Sequence, residues 1–174
     1  MSKYDNINPE KMAEIQSRIE NSSTKMDEIV DTIITSYVEE LDKYVSHIDS
    51  RLCDKGNPPT DEELDKFCLN LSSLIYFASS MSERLGIRDD IAKATYKEVY
   101  NTTRDSAEKG TVQDKNTFAE LASQQEQLIS ICYTRAYRVV KAKVDSAQEL
   151  LTSIKKVISR RMQEQQLTNI AGGR

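Results

Sequence analysis

Eight of the twenty-four lysines and arginines in this 174-residue chain fall within residues 133–161, against two acids, Asp145 and Glu149. That stretch therefore carries +6, whereas residues 1–132 hold fifteen basic and twenty-five acidic residues, a balance of −10. At 100° per residue on a helix, Ala136, Val140, Val144, Ala147, Leu151, Ile154 and Ile158 share one face. Arg135, Arg138, Lys141, Lys156 and Arg160 project from the other side, with Tyr133 and Tyr137 one turn apart at the border. Cations for phosphates and flat rings for bases are what a single-stranded nucleic acid asks of a protein. These seven residues are the expected contacts for single-stranded DNA or RNA. Asp145 and Glu149 interrupt the face, and the solvated side of any long helix has a similar composition, so that plainer reading stands beside the first. Lys143 and Arg161 differ from the others because they point toward the apolar side. They must snorkel, pair with acids on the N-terminal helices, or meet another subunit.

No other constellation reaches this level. A lesser group, Lys93, Lys97 and Arg104 with Tyr96 and Tyr100, fits a half-buried helix face, and Glu98 and Asp105 dilute its charge. There is no nucleophile elbow, phosphate-cradling glycine loop, dinucleotide fingerprint or zinc spacing. The lone histidine, His47, has no cysteine or second histidine near it in sequence. Asp61, Glu62, Glu63 and Asp65, like Asp89 and Asp90, sit in the first turn of an expected helix, where the helix dipole alone accounts for acids. The expectation is a non-enzymatic protein with no catalytic residue, no cofactor and no metal. Cys53, Cys68 and Cys132 form no C-x-x-C pair and read as reduced, small apolar residues. The three Asn-x-Ser/Thr sequons lie in helical patterns and are set aside.

The elements that would position these residues are long. Pro9 opens a helix after a loose arm of eight residues. Met12, Ile15, Ile19, Met26, Ile29, Ile33, Tyr37, Leu41, Tyr44, Ile48 and Leu52 then follow at gaps of three or four, which predicts a helix over 9–53. Asn21, Ser22, Ser23 and Thr24 prefer caps and favour a break there. Gly56 and Pro58-Pro59 end the helix, and Thr60 with Glu63 forms a capping box that starts the next at Asp61. Gly86 reads as a stop, dividing 61–108 into two shorter helices. Thr111 and Asp114 cap a last helix that runs without glycine or proline to about residue 166, with 167–174 as a flexible tail.

The expected fold is a single all-α domain, an elongated helical bundle with two very long amphipathic helices, about 9–52 and 112–166, and two shorter ones between them. Five glycines, three prolines, no tryptophan and three phenylalanines suit helices packing lengthwise rather than one large compact core. No stretch is long and apolar enough to span a bilayer and no signal peptide opens the chain, so a cytoplasmic protein without membrane contact is expected. Helices of this length favour coiled-coil assembly. A homo-oligomer packed through Ala136, Val140, Val144, Leu151, Ile154 and Ile158 follows from that.

The order of segments resembles bacteriophage recombination mediators of the UvsY type. The likeness lies in "SERLGIRDDIAKATYKEVY" and "ELASQQEQLISICYTRAYRVVKAKVDSAQELLTSIKKVISRRMQ", over about residues 70–165. The resemblance implies an oligomer that binds single-stranded DNA and helps a strand-exchange recombinase load, in the cytoplasm of a bacterial host. The N-terminal helix is longer and the chain more acidic than that family's pattern. A second function class remains beside it: a helical protein–protein interaction module, such as an inhibitor of a host defence nuclease or a phage scaffold component. There the acidic N-terminal helix would face a basic host or phage protein.

Overall fold

The computed structural model describes residues 9–107 and 110–172, with side chains placed over 12–107 and 110–168. The arm expected over residues 1–8 lies outside the described residues. Four helices follow one another: α1 (Pro9–Leu52), α2 (Asp61–Ser106), α3 (Val112–Ala122) and α4 (Gln124–Gly172). Among the described residues there is no strand, so the all-α bundle expected from composition is what the chain forms.

Local chemistry sets the helix ends. Asp54 accepts hydrogen bonds from the backbone N–H groups of Gly56 (3.0 Å) and Asn57 (3.3 Å), folding the chain back after α1. Thr60 then caps α2: its hydroxyl accepts from the Glu63 N–H at 3.2 Å, and the Glu63 carboxylate accepts from the Thr60 N–H at 2.8 Å. Arg51 joins the two helices, donating to Glu63 at 2.9 Å and to the Asn57 carbonyl at 3.4 Å. The capping box at Thr111 and Asp114 repeats this arrangement at the start of α3. Gly110, at φ +119, makes the preceding turn in a conformation that side-chain-bearing residues avoid.

The chain departs from the sequence expectation in four places. α1 does not break at residues 21–24, because Thr24 donates to the Glu20 carbonyl (2.9 Å) and Ser23 to Asp27 (3.3 Å) within the continuing helix. Gly86 does not stop the second helix, so the two shorter helices are one, α2. Its missing side chain serves packing: a Cβ there would lie 3.2 Å from Cε2 of Tyr137. The last helix is interrupted at Ser123 (φ −100, ψ 11), which separates α3 from α4. The Ser123 hydroxyl is buried and donates to the Ala119 carbonyl at 2.7 Å, a back-bond that bends helices. Finally, α4 continues through Gly172 rather than fraying at 167.

α1, α2 and α4 form the bundle, and α3 packs against α2. α2 runs antiparallel to both neighbours. Its first turn meets the end of α1 through Arg51–Glu63 and the end of α4 through Arg161–Asp61. One apolar cluster unites the three helices, including Val38, Leu41 and Ile48 of α1, Leu64, Leu71 and Leu85 of α2, and Ala136, Val140 and Ile154 of α4. The first α1 residue to reach it fully is Val30. Residues Met12, Ile15 and Ile19, which the periodicity places on the same stripe, remain exposed. The bundle is thus closed at the 53–60 loop and open at the other end.

Candidate interaction surfaces

The seven residues expected to contact nucleic acid divide into two groups. Arg135, Arg138, Lys141, Lys156 and Arg160 are all exposed along α4. Arg160 is paired with Glu164 one turn on, at 3.0 Å. The other four form no ion pair with any described residue. Tyr133 and Tyr137 instead lie half-buried against the core cluster. The Tyr137 ring covers the Gly86 backbone, and Tyr133 lines a groove with Ile91, Ala92, Thr95 and Ile129. Half-buried in this way, the two rings offer less free surface for stacking than exposed rings would.

The six residues expected to join subunits are used within the chain. Ala136, Val140, Val144 and Ile154 are buried in the bundle's own core, and Leu151 and Ile158 pack against it. Sequence periodicity cannot distinguish a partner supplied by the same chain from one supplied by a second copy. Here α1 and α2 fill that role for the buried four, and Leu151 and Ile158 are partly covered.

The two inward cations find the acids of the N-terminal helices. Lys143 donates to Asp42 of α1 at 2.7 Å. Arg161 donates to Asp61 at 2.9 Å and to the Pro59 carbonyl at 2.9 Å, closing the loop end of the bundle. Asp89, buried within α2, accepts from Lys93 at 2.6 Å and from the Thr134 hydroxyl at 2.6 Å. Burial works against its charge. The hydrogen bonds from Lys93 and Thr134 and the charges of Lys93 and Arg138 outweigh it, so the carboxyl is held below the ordinary range. In the lesser basic cluster Arg104 is paired with Asp105 at 3.1 Å, and Tyr96 and Tyr100 are half-buried with their ring centres 6.3 Å apart.

Other candidate chemistry resolves into structure. Glu62 and Glu63 are held low in pKa, Glu62 by the hydrogen bond from Lys66 and Glu63 first by the Thr60 backbone and then by Arg51. His47 is exposed, with its ring centre 6.1 Å from that of Tyr44 and 6.0 Å from that of Phe67. Burial raises the thiols of Cys68 and Cys132, which disfavours the reactive thiolate. Cys53, read from the sequence as a small apolar residue, is exposed. Among the described residues no three His, Cys, Asp or Glu side chains gather as a metal set would. No helix among them is long and apolar enough to cross a membrane.

Two exposed apolar surfaces were not legible as such in the sequence. At the open end, Ile15, Ile19, Met26 and Val30 of α1 face Arg135 across a cleft of about 480 Å³. Along α2, Leu69, Tyr76, Phe77, Ile87 and Ile91 are exposed, Ile91 at the rim of the Tyr133 groove and Phe77 beside a groove shared with α1. The second surface did leave a signal: residues 67–82 contain no Asp, Glu, Lys or Arg, so neither side of that helix is marked as the wet one.

The chain matches no protein-family model, no curated protein and no solved structure.

Proposed function

We propose that this is a non-enzymatic, oligomeric accessory protein of a bacteriophage that binds single-stranded nucleic acid through the outer face of α4. The observation that carries the reading is a row of unpaired cations on one helix face. Arg18, Lys25, Lys55, Arg84 and Lys97 are also exposed without an ion pair among the described residues, but they lie in the acidic part of the chain. Lys43, Arg51, Lys66, Lys93, Lys143 and Arg161 are neutralised by carboxylates of the same chain. Arg135, Arg138, Lys141 and Lys156 are exposed and have no such partner among the described residues. A phosphate backbone supplies the missing charge. Because the tyrosines are half-buried, binding rests on phosphate contacts more than on stacking and is indifferent to sequence. By its resemblance to recombination mediators, the protein would help a recombinase load on the strand it holds.

A labelled oligonucleotide titrated at two salt concentrations tests this. With four cations each contributing about −0.7 to the slope of log K against log salt, raising salt from about 50 to about 200 mM lowers affinity roughly 50-fold. Reversing Arg135, Arg138 and Lys141 to Glu abolishes binding at low salt. A wild-type chain that binds no oligonucleotide at low salt overturns the reading.

The exposed apolar cleft at the open end favours a second reading, a helical module that grips a partner protein and blocks or scaffolds it. In that case a helical peptide with an apolar stripe competes for the cleft, and Ile15→Asp with Ile19→Asp removes its binding.

A further inference from the structure

The outer side of α2 carries a seam that no described part of this chain covers. Leu69, Ser73, Tyr76, Ser80 and Ile87 follow one another at gaps of four, three, four and seven, the heptad spacing of a helix that packs on another helix. All five are exposed; Leu69 and Tyr76 are 72% and 73% accessible, and Phe77 beside them is 62%. The inward side of the same turns is already complete, with Phe67, Leu71, Ile75 and Ala78 in the bundle core. A helix apolar on both sides is characteristic of one with neighbours on both sides.

We infer that a second copy of this chain covers the seam, its α2 antiparallel to the first and related to it by a two-fold axis at residues 74 and 75. In an antiparallel pair each seam position faces one position of the partner, and about this axis the residue numbers of facing positions sum to 149. Leu69 then faces Ser80, and Tyr76 faces Ser73. Every large side chain of the central seam meets a serine, which lets two helices approach closely without collision. At the next layer out Lys66, which Glu62 also holds at 2.7 Å within its own helix, faces Glu83. The acidic first turns of α2, with Asp61, Glu62, Glu63 and Asp65, lie alongside the turns that hold Arg84 and Arg88. Glu62 and Ile87 close the two ends.

A parallel pair would place Tyr76 on Tyr76, Lys66 on Lys66 and Glu83 on Glu83. Like charges facing each other penalise it, so charge selects both the orientation and the register. The central residues 67–82 are free of charge, as the buried middle of an interface is. This inference specifies the assembly included in the reading above. It leaves the α4 cations on a different helix, outside the seam.

Sedimentation or light scattering of the full chain tests it. The wild type is expected to form dimers, or even-numbered assemblies built from them, at micromolar concentration. Tyr76→Glu raises the dimer dissociation constant about 100-fold or more while leaving helix content and oligonucleotide binding by each chain intact. Lys66→Glu or Glu83→Lys alone weakens the dimer about ten-fold, and the two together restore it. A monomer at all micromolar concentrations overturns the inference, as does an assembly whose mass Tyr76→Glu leaves unchanged. Failure of the double swap to restore the dimer overturns the antiparallel register. Loss of oligonucleotide binding in a wild type that still dimerises would instead overturn the nucleic-acid reading alone.

Discussion

In the half of the bundle that holds Ile48 and Ile154, three helices bury their stripes on one another and only 0–2% of either side chain is accessible. In the other half Ile19 and Ile129 stand 62% and 53% exposed. Both halves of α1 are built on the same helical repeat of apolar residues. The difference is the neighbour. From Val30 onward, α1 sits against α2 and α4, held by Asp42–Lys143 and by Arg88 over the Tyr37 ring. Before Val30, Met12, Ile15 and Ile19 are exposed, and Ile91, Ala92, Ile129 and Tyr133 line a groove at that end of α2 and α4. An apolar stripe thus specifies that something must be covered. It does not specify that the chain itself supplies the cover.

Mutations in the two halves should separate them cleanly. The largest effect belongs to the closed core: Leu71→Ala removes a side chain with no solvent exposure and should cost about 2–5 kcal/mol in urea denaturation. Asp89→Ala comes next, at about 1–3 kcal/mol, because it takes the acceptor from Thr134 and Lys93. Its pH dependence has a definite sign. Since the folded carboxyl is held below its ordinary value, its contribution is complete above the ordinary carboxylate range and is lost as pH falls through the folded value. An Asp89→Asn chain should therefore lose less stability between neutral pH and strong acid than the wild type.

The two capping boxes give a smaller and more pointed comparison. Thr60→Ala at the closed end should lower global stability by about 1 kcal/mol. Thr111→Ala removes the same chemistry from α3, whose core contribution among the described residues is Ala119 and whose flank at Ser123 is already bent. Its effect should appear as faster amide exchange confined to α3, with little change in global unfolding. Smallest of all, Ile19→Ala should change stability by less than about 0.5 kcal/mol. A large loss there would mean that the open end is covered in solution.

Much of the fold is legible in the sequence alone, and the reasons are local. Pro9, the loop Asp54–Thr60 and the pairs Thr60–Glu63 and Thr111–Asp114 act between near neighbours in sequence, so their types alone announced the helix ends. Lys143 and Arg161 were also marked in advance, since a cation on an apolar side requires a partner. Which acids would answer, Asp42 and Asp61, lay 101 and 100 residues away. The candidate site was less legible. The cations of α4 stood out by composition, but the inward turn of Tyr133 and Tyr137 depended on how closely α2 approaches at Gly86.

By itself, then, the sequence determined that this chain is helical, where its principal turns fall and which residues want company. Those properties arise from hydrogen bonds and apolar spacing within a few residues of each other. Tertiary structure decided that α2 runs through Gly86, that Ser123 divides the last helix, and that α4's apolar face belongs to the chain's own core. It also decided which apolar residues were left over. Each outcome depends on contacts between residues distant in sequence, where one glycine can admit a ring.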